Sequence, residues 1–402
     1  MMLKNQLKQF TATLLVGGTC VGGGILGMPV EASRVGFIPS ILALFFCWLF
    51  MTCTGLLFAE ASLWMKEEGA HIVTLSKRLL GPFGEFISVL LYLFMGYASL
   101  IAYNSGGSLL IINIVEYITS FGMERWVACV VFAALFGSIF YMGTKILGWV
   151  NSIFVVGLVI TYFGMVGMSI SDVRHVLLRH TSWPDLTFVI PLMVTSFSFQ
   201  MIVPSLALYL DHNPLSLRNS ILFGTTIPLV LYALWLLIVM GIVPITGEMG
   251  LADALEKGSI ATESLKYYTK TPIIATLAEF FAIFAIVTSY LGIGLGLYDF
   301  LADLTKIKKK GLGKLFLGLL VIIPTLYFSV LFPGAFLFAL DITGGFGDSL
   351  LNGVIPVLMV WMGRYAIGHK GEYTFVGGKV TLSILFITSF AIFGIQLLKL
   401  IT

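Results

Sequence analysis

The sequence predicts an all-α integral membrane protein, a single polytopic domain over residues 1–402 built from eleven transmembrane helices. Three observations carry that prediction. The chain is 58% hydrophobic and only 11% charged, against roughly 25% charged residues in a soluble domain. Its apolar runs recur at the length of a bilayer crossing, roughly 20 residues. Glycine and proline interrupt two of those runs at corresponding places in the two halves of the chain. No soluble interior of this length hides so much apolar surface. A water-soluble enzyme, a nucleic-acid binder and a disordered scaffold are therefore excluded, and a net charge of +3 is too small to suggest a polyanionic partner.

The runs lie at about 11–31, 36–61, 86–116, 126–143, 148–170, 187–210, 219–243, 272–303, 315–332, 336–362 and 379–400, and are numbered here as spans 1 to 11. Lys4 and Lys8 precede span 1 as they would a signal peptide, but the run continues to Pro29 with no early A-x-A site, so it reads as a retained span. Between spans 2 and 3 the amphipathic segment 62–85 predicts an interfacial helix. Spans 9 and 10 are separated by a tight turn, Phe332-Pro333-Gly334-Ala335. Cys20, Cys47, Cys53 and Cys129 all fall inside apolar runs, form no CxxC, and read as buried small hydrophobes.

Eleven spans put the termini on opposite sides. With the N-terminus inside, 15 Lys and Arg fall in cytoplasmic segments and 8 on the other side, among the former Lys66 and the run Lys306–Lys310, among the latter Lys270. The positive-inside rule then gives a cytoplasmic N-terminus and a periplasmic C-terminus.

Span 1 holds Gly17-Gly18-Thr19-Cys20-Val21-Gly22-Gly23-Gly24, five glycines in eight residues, before Pro29. Small residues also serve close helix packing, yet glycine on every side of one short stretch fits local unwinding better. Span 6 holds Pro191 and then Thr195-Ser196-Phe197-Ser198-Phe199-Gln200, closed by Pro204, which follows Pro29 by 175 residues. Open backbone in hydrocarbon is tolerated where it lines a protein cavity. Paired interrupted helices in two five-span halves point to an inverted repeat, residues 11–170 and 187–362, with span 11 added, and to a transporter site between them. Free N–H groups at Gly22, Gly23 and Gly24 would carry partial positive charge and suit a carboxylate. Carbonyls near Ser196–Phe199 would suit an ammonium or a metal cation. A site with both fits a zwitterion, an amino acid.

GGTCVGGGILGMP, SFSFQMIVPS and TSYLGIGLGLYDFLADL, three separated motifs in order, resemble the bacterial aromatic amino acid permeases, closest to the tyrosine-specific branch. The resemblance runs nearly end to end. It implies the leucine-transporter-type five-plus-five fold with an eleventh helix, proton-coupled uptake, a bacterial inner-membrane location and a monomer surrounded by lipid. It implies no cofactor beyond the coupling ion, and no metal unless that ion is sodium. By residue, it implies a substrate site of Gly17, Gly18, Thr19, Val21, Gly22, Gly23 and Gly24 in span 1. Tyr97, Tyr103 and Asn104 come from span 3, and Ser196, Phe197, Ser198, Phe199 and Gln200 from span 6, with Phe197 and Phe199 stacking on an aromatic substrate. Gln200 departs from the family pattern, where a histidine stands, and removes one proton carrier. In sodium-coupled members of this fold, hydroxyls at Thr288 and Ser289 would face carbonyls near Gly17 and Cys20 and complete a cation site. The same hydroxyls equally serve their own helix, so sodium and proton both remain open, with the family favouring the proton.

Ionisable groups inside a membrane are functional candidates. Glu279, Asp341 and Asp348 are the proton or gate candidates; Asp341 and Asp348 flank Thr343-Gly344-Gly345-Phe346-Gly347, where span 10 would break open to an outer vestibule. Glu60 closes span 2, while Asp299 and Asp303 lie near the lysine run. The five histidines fall in loops or at span ends, and no HExxH, Ser–His pair or Walker motif is present, so enzyme chemistry and direct ATP drive lack their groups. The leading expectation is a cation-coupled importer of an aromatic amino acid, L-tyrosine first. The alternatives are a permease of the same fold for another neutral amino acid, and a membrane-embedded sensor or channel.

Overall fold

The computed structural model describes residues 2–65, 71–119, 122–142, 144–269, 271–332 and 334–401. Lys66, Lys270 and Pro333 lie outside them. Among the described residues every regular element is helical. Nine helices among the described residues are long and apolar enough to cross a membrane, ten with the bent pair Gln6–Cys20 and Gly24–Ala32, whose halves turn by 53°. The expected span 4 is the shorter apolar helix Arg125–Met142.

The remaining spans follow the expected order. Span 2 is Phe37–Leu63, span 5 Thr144–Ser169, span 7 Pro214–Ile242, span 8 Pro272–Thr305, span 9 Leu312–Leu331 and span 11 Gly378–Ile401. Span 3 is joined to the segment before it: the helix Ile72–Thr119 turns at Gly81, whose φ of 76° only glycine adopts cheaply. Two short helices, Leu251–Lys257 and Ala261–Tyr268, sit between spans 7 and 8 and pack on the second half of span 1.

Lys8 at the start of span 1 pairs with Asp211 after span 6 (2.6 Å), whereas Lys399 at the end of span 11 lies against Glu31 at the far end of span 1 (3.8 Å). The two ends of the chain therefore lie at opposite faces, called here the Lys8 face and the Lys399 face.

Span 10 corrects one expectation. It does not open between Asp341 and Asp348. Ala335–Ile342 runs into wider π-helical turns over Thr343–Val354 and on into Ile355–Trp361. Its glycines serve contact. A side chain at Gly344 would strike the Pro191 carbonyl of span 6, one at Gly345 the Gln396 side chain of span 11, and one at Gly347 the Met95 side chain of span 3. Three neighbours approach one backbone at once, and only a glycine-rich helix admits them.

Prolines inside spans leave the carbonyl four residues earlier without its N–H, and hydrocarbon offers no water to replace it. Two aromatic side chains make up the loss. Trp235 Nε1 donates to the Ile25 carbonyl (2.7 Å), which Pro29 leaves free, and the Tyr97 hydroxyl donates to the Leu320 carbonyl (2.8 Å), which Pro324 leaves free.

Candidate functional site

The helix of span 1 persists through Cys20 and breaks at Val21-Gly22-Gly23. Gly17, Gly18 and Thr19 are thus helical rather than unwound. Gly17 is a packing residue: a Cβ there would stand 3.0 Å from the Gly224 carbonyl of span 7, and one at Gly224 only 2.5 Å from Val16 Cβ. Past the break the helix restarts with Ile25 N–H on the Gly22 carbonyl (3.2 Å) and Leu26 N–H on the Gly23 carbonyl (3.0 Å). Gly23 N–H donates to Ser289 Oγ of span 8 (3.0 Å). Among the described residues nothing accepts from Gly22 or Gly24 N–H.

Three side chains press on these glycines. Cβ atoms would lie 2.7 Å from Ser289 Oγ at Gly22, 2.5 Å from Tyr103 Cε1 at Gly23 and 2.7 Å from Ser196 Oγ at Gly24. The last contact brings the two breaks side by side, since Ser196 begins the interruption of span 6 between Ile190–Thr195 and Gln200–Ile202. Tyr232 of span 7 joins them. Its buried hydroxyl donates toward the Cys20 carbonyl (2.6 Å) and the Ser196 carbonyl (2.9 Å), the last carbonyls of the two first half-helices. Both ends carry partial negative charge, and one phenol serves both.

The span 6 residues divide differently from expectation. Phe197 is buried edge-on to Tyr232, with ring centroids 5.4 Å apart. Phe199 is buried against Gly55 of span 2. Both rings are thus packed against the protein itself. Gln200 locks the break to span 2: Nε2 donates to the Met51 carbonyl (3.1 Å) and Thr54 Oγ1 (3.2 Å), while Oε1 accepts Phe199 N–H (3.0 Å). Ser198 turns to span 10, where Asn352 Nδ2 donates to its Oγ (3.0 Å) and to Asp348 Oδ1 (2.6 Å); so does Thr195 before it, whose Oγ1 donates to the Leu340 carbonyl (2.9 Å).

Of the span 3 candidates, Tyr103 stands over Gly23, Tyr97 serves span 9, and Asn104 is fully buried with both side-chain polar atoms unpaired among the described residues. The proposed cation ligands are engaged with the protein itself. Thr288 Oγ1 donates to the Phe284 carbonyl (2.7 Å) and Ser289 Oγ to the Ala285 carbonyl (2.8 Å). The Gly17 carbonyl accepts Val21 N–H (3.1 Å), and that of Cys20 accepts from Tyr232.

The carboxylates separate clearly. Glu279 pairs with Lys266 (3.3 Å) at a partly exposed helix end. Asp341 pairs with Lys399 (2.8 Å) at the Lys399 face, where Glu31 and Arg34 line the same cavity of about 340 Å³. Glu60 is buried against Arg364 (2.7 Å) at the Lys8 face. Among the described carboxylates only Asp348 reaches the breaks, beside Ser198.

The two faces of the site differ. Toward the Lys399 face Ile25, Leu26 and Met28 are fully buried, and a Cβ at Gly27 would strike Leu337. Toward the Lys8 face a Cβ at Gly292, one turn from Ser289, or at Gly18 would meet nothing within 4 Å. The arrangement can hold a carboxylate on free amides beneath a phenol.

Tyr232, Trp235 and Asn352 were not singled out by sequence. Each acts on a carbonyl or side chain more than a hundred residues away or on an irregular turn, and no local motif marks them.

The sequence profile of the tryptophan/tyrosine permease family matches residues 5–396. The chain is 32% identical over 390 residues to the tyrosine-specific transport system 1 of Haemophilus influenzae, covering 94% of each. It is 30% identical over 397 residues to a tryptophan-specific transport protein of the same organism, covering 95% of this chain and 93% of the relative. With the low affinity tryptophan permease of Escherichia coli it shares 25% over 387 residues, 92% and 91% of the two chains.

Proposed function

The chain belongs to the tryptophan/tyrosine permease family, multi-pass membrane proteins that are transporters and not enzymes, and from that premise we propose that it imports an aromatic amino acid by proton symport, L-tyrosine before tryptophan. The fold proposed is the leucine-transporter-type five-plus-five inverted repeat with an eleventh helix, acting as a monomer in a bacterial inner membrane with the Lys8 face cytoplasmic.

One observation carries the reading. Two helix breaks lie side by side, and one of them offers the unpaired amides of Gly22 and Gly24 beside Tyr103. Such amides recognise a carboxylate. Carbonyls of the facing break supply the negative side that an ammonium needs. Rocking of the helices around this point would alternate access between the faces. Proton is favoured over sodium on the family resemblance, and the Thr288 and Ser289 hydroxyls, which donate to their own helix, have a structural role there that needs no cation.

Competition against labelled L-tyrosine in proteoliposomes tests this. Unlabelled tyrosine, tryptophan and phenylalanine should compete. Tyramine, which lacks the carboxylate, and the deaminated acid, which lacks the ammonium, should not. Leucine competing as well as tyrosine would replace the aromatic reading with a general neutral amino acid permease.

A further inference from the structure

Asp348 sits in the π-helical stretch of span 10 with no exposed surface. Widened helical turns of this kind recur at functional sites. Its Oδ1 accepts from Asn352 (2.6 Å), while Oδ2 is buried without a hydrogen bond, with the Ser198 and Thr195 hydroxyls nearby. Among the described residues no lysine, arginine or histidine pairs with it. Lys399, the cation at the end of the neighbouring span 11, is held by Asp341 and Glu31 instead.

The groups that face this carboxylate are uncharged by type. Span 3 brings the Tyr103 phenol and span 1 the Cys20 thiol within its electrostatic reach. Span 6 brings Ser198 and Thr195, span 11 lays Gln396 on Gly345, and span 2 lays Phe50 on Gly353. A carboxylate in a membrane interior is held by a counter-ion, by a proton or by a bound cation. Among the described residues the first is absent, and Asp348 is joined through Asn352 to Ser198 of the span 6 break that the substrate reading uses.

We propose that Asp348 carries the coupling proton, taking it up and releasing it at Oδ2 as the Ser198 break moves, with Asn352 holding Oδ1 in place throughout. Protonation removes the lone negative charge beside the site, so the protein can change its open face without carrying a bare charge through the apolar interior. The assignment rests on the symport reading above and goes further by naming the residue.

Asp348→Asn in proteoliposomes tests it, with Asp348→Glu beside it. The asparagine variant should exchange labelled tyrosine for internal tyrosine like the wild type, yet lose accumulation driven by a pH gradient. Its substrate affinity should also lose a pH dependence of about tenfold. Asp348→Glu should restore part of the gradient-driven uptake. Loss of exchange and substrate binding together in folded Asp348→Asn would overturn the proposal and make the residue a partner of the substrate ammonium. Undiminished gradient-driven uptake would overturn it outright. Should the wild type itself ignore a pH gradient, the symport reading falls and this assignment with it. Should Asp348→Asn fail to fold, a hydrophobic carbodiimide, which modifies protonated carboxyl groups in apolar surroundings, should label Asp348 of the wild type. Absence of that label in protein active with a pH gradient would overturn the proposal.

Discussion

A Cβ at Gly23 would stand 2.5 Å from the Tyr103 ring, while one at Gly17 meets the Gly224 carbonyl at 3.0 Å. The two glycines therefore fail differently. Gly23→Val should lower tyrosine uptake by about a hundredfold, because a displacement of about 1 Å at a binding site is worth that much, with the protein still present in the membrane. Gly17→Ala should cost about 1–3 kcal/mol of stability through overpacking and leave KM unchanged; detergent melting and uptake kinetics separate the two. Tyr97→Phe belongs with Gly17. It leaves the Leu320 carbonyl unpaired, at about 1–3 kcal/mol, so melting should fall and KM hold. A raised KM for Tyr97→Phe would return that residue to the site. The glycine run was legible because several consecutive glycines have few other uses, but which of them bind and which pack depends on a helix phase that the break itself resets.

At the scale of elements, the interrupted spans were readable from punctuation: Gly22–Gly24 and Ser196–Phe199 are where the helices stop. What holds the stops together was not. Tyr232 is one of 15 tyrosines in the chain, and nothing in its neighbourhood announces that its hydroxyl ends on two carbonyls from other spans. The directions of Phe199 and Gln200 were not legible for a related reason. Side-chain direction in a non-helical stretch follows no period, and both turned to span 2. Tyr232→Phe keeps the ring against Phe197 and removes only the hydroxyl. It should weaken apparent tyrosine affinity about tenfold, roughly 1.4 kcal/mol, since both breaks lose their shared donor. Unchanged affinity would mean that the breaks keep their geometry without it. Span 10 was misread as open because glycines next to carboxylates resemble a break; three close helix contacts account for them instead.

For the whole molecule, composition alone decided that the chain is a membrane protein, and the matches with permeases over nearly its full length agree. The asymmetry of the site about the membrane plane was not legible, since sequence carries no record of which half of a rocking bundle is closed. Packing of Ile25, Leu26 and Met28 fills the Lys399 side of the breaks, while a Cβ at Gly18 or Gly292 on the Lys8 side would meet no protein atom within 4 Å. Gly292→Cys should therefore react with a polar thiol reagent supplied at the Lys8 face and more slowly once tyrosine is bound. Equal reaction from both faces would contradict that asymmetry.

Uphill transport is the property that separates a symporter from a channel or a sensor. Labelled L-tyrosine should accumulate above its equilibrium level in proteoliposomes given a pH gradient alone, and should only equilibrate under a sodium gradient. Accumulation under sodium alone would contradict the proposed coupling. Equilibration without accumulation under both gradients, in folded protein, would contradict secondary active transport itself and leave a channel or sensor.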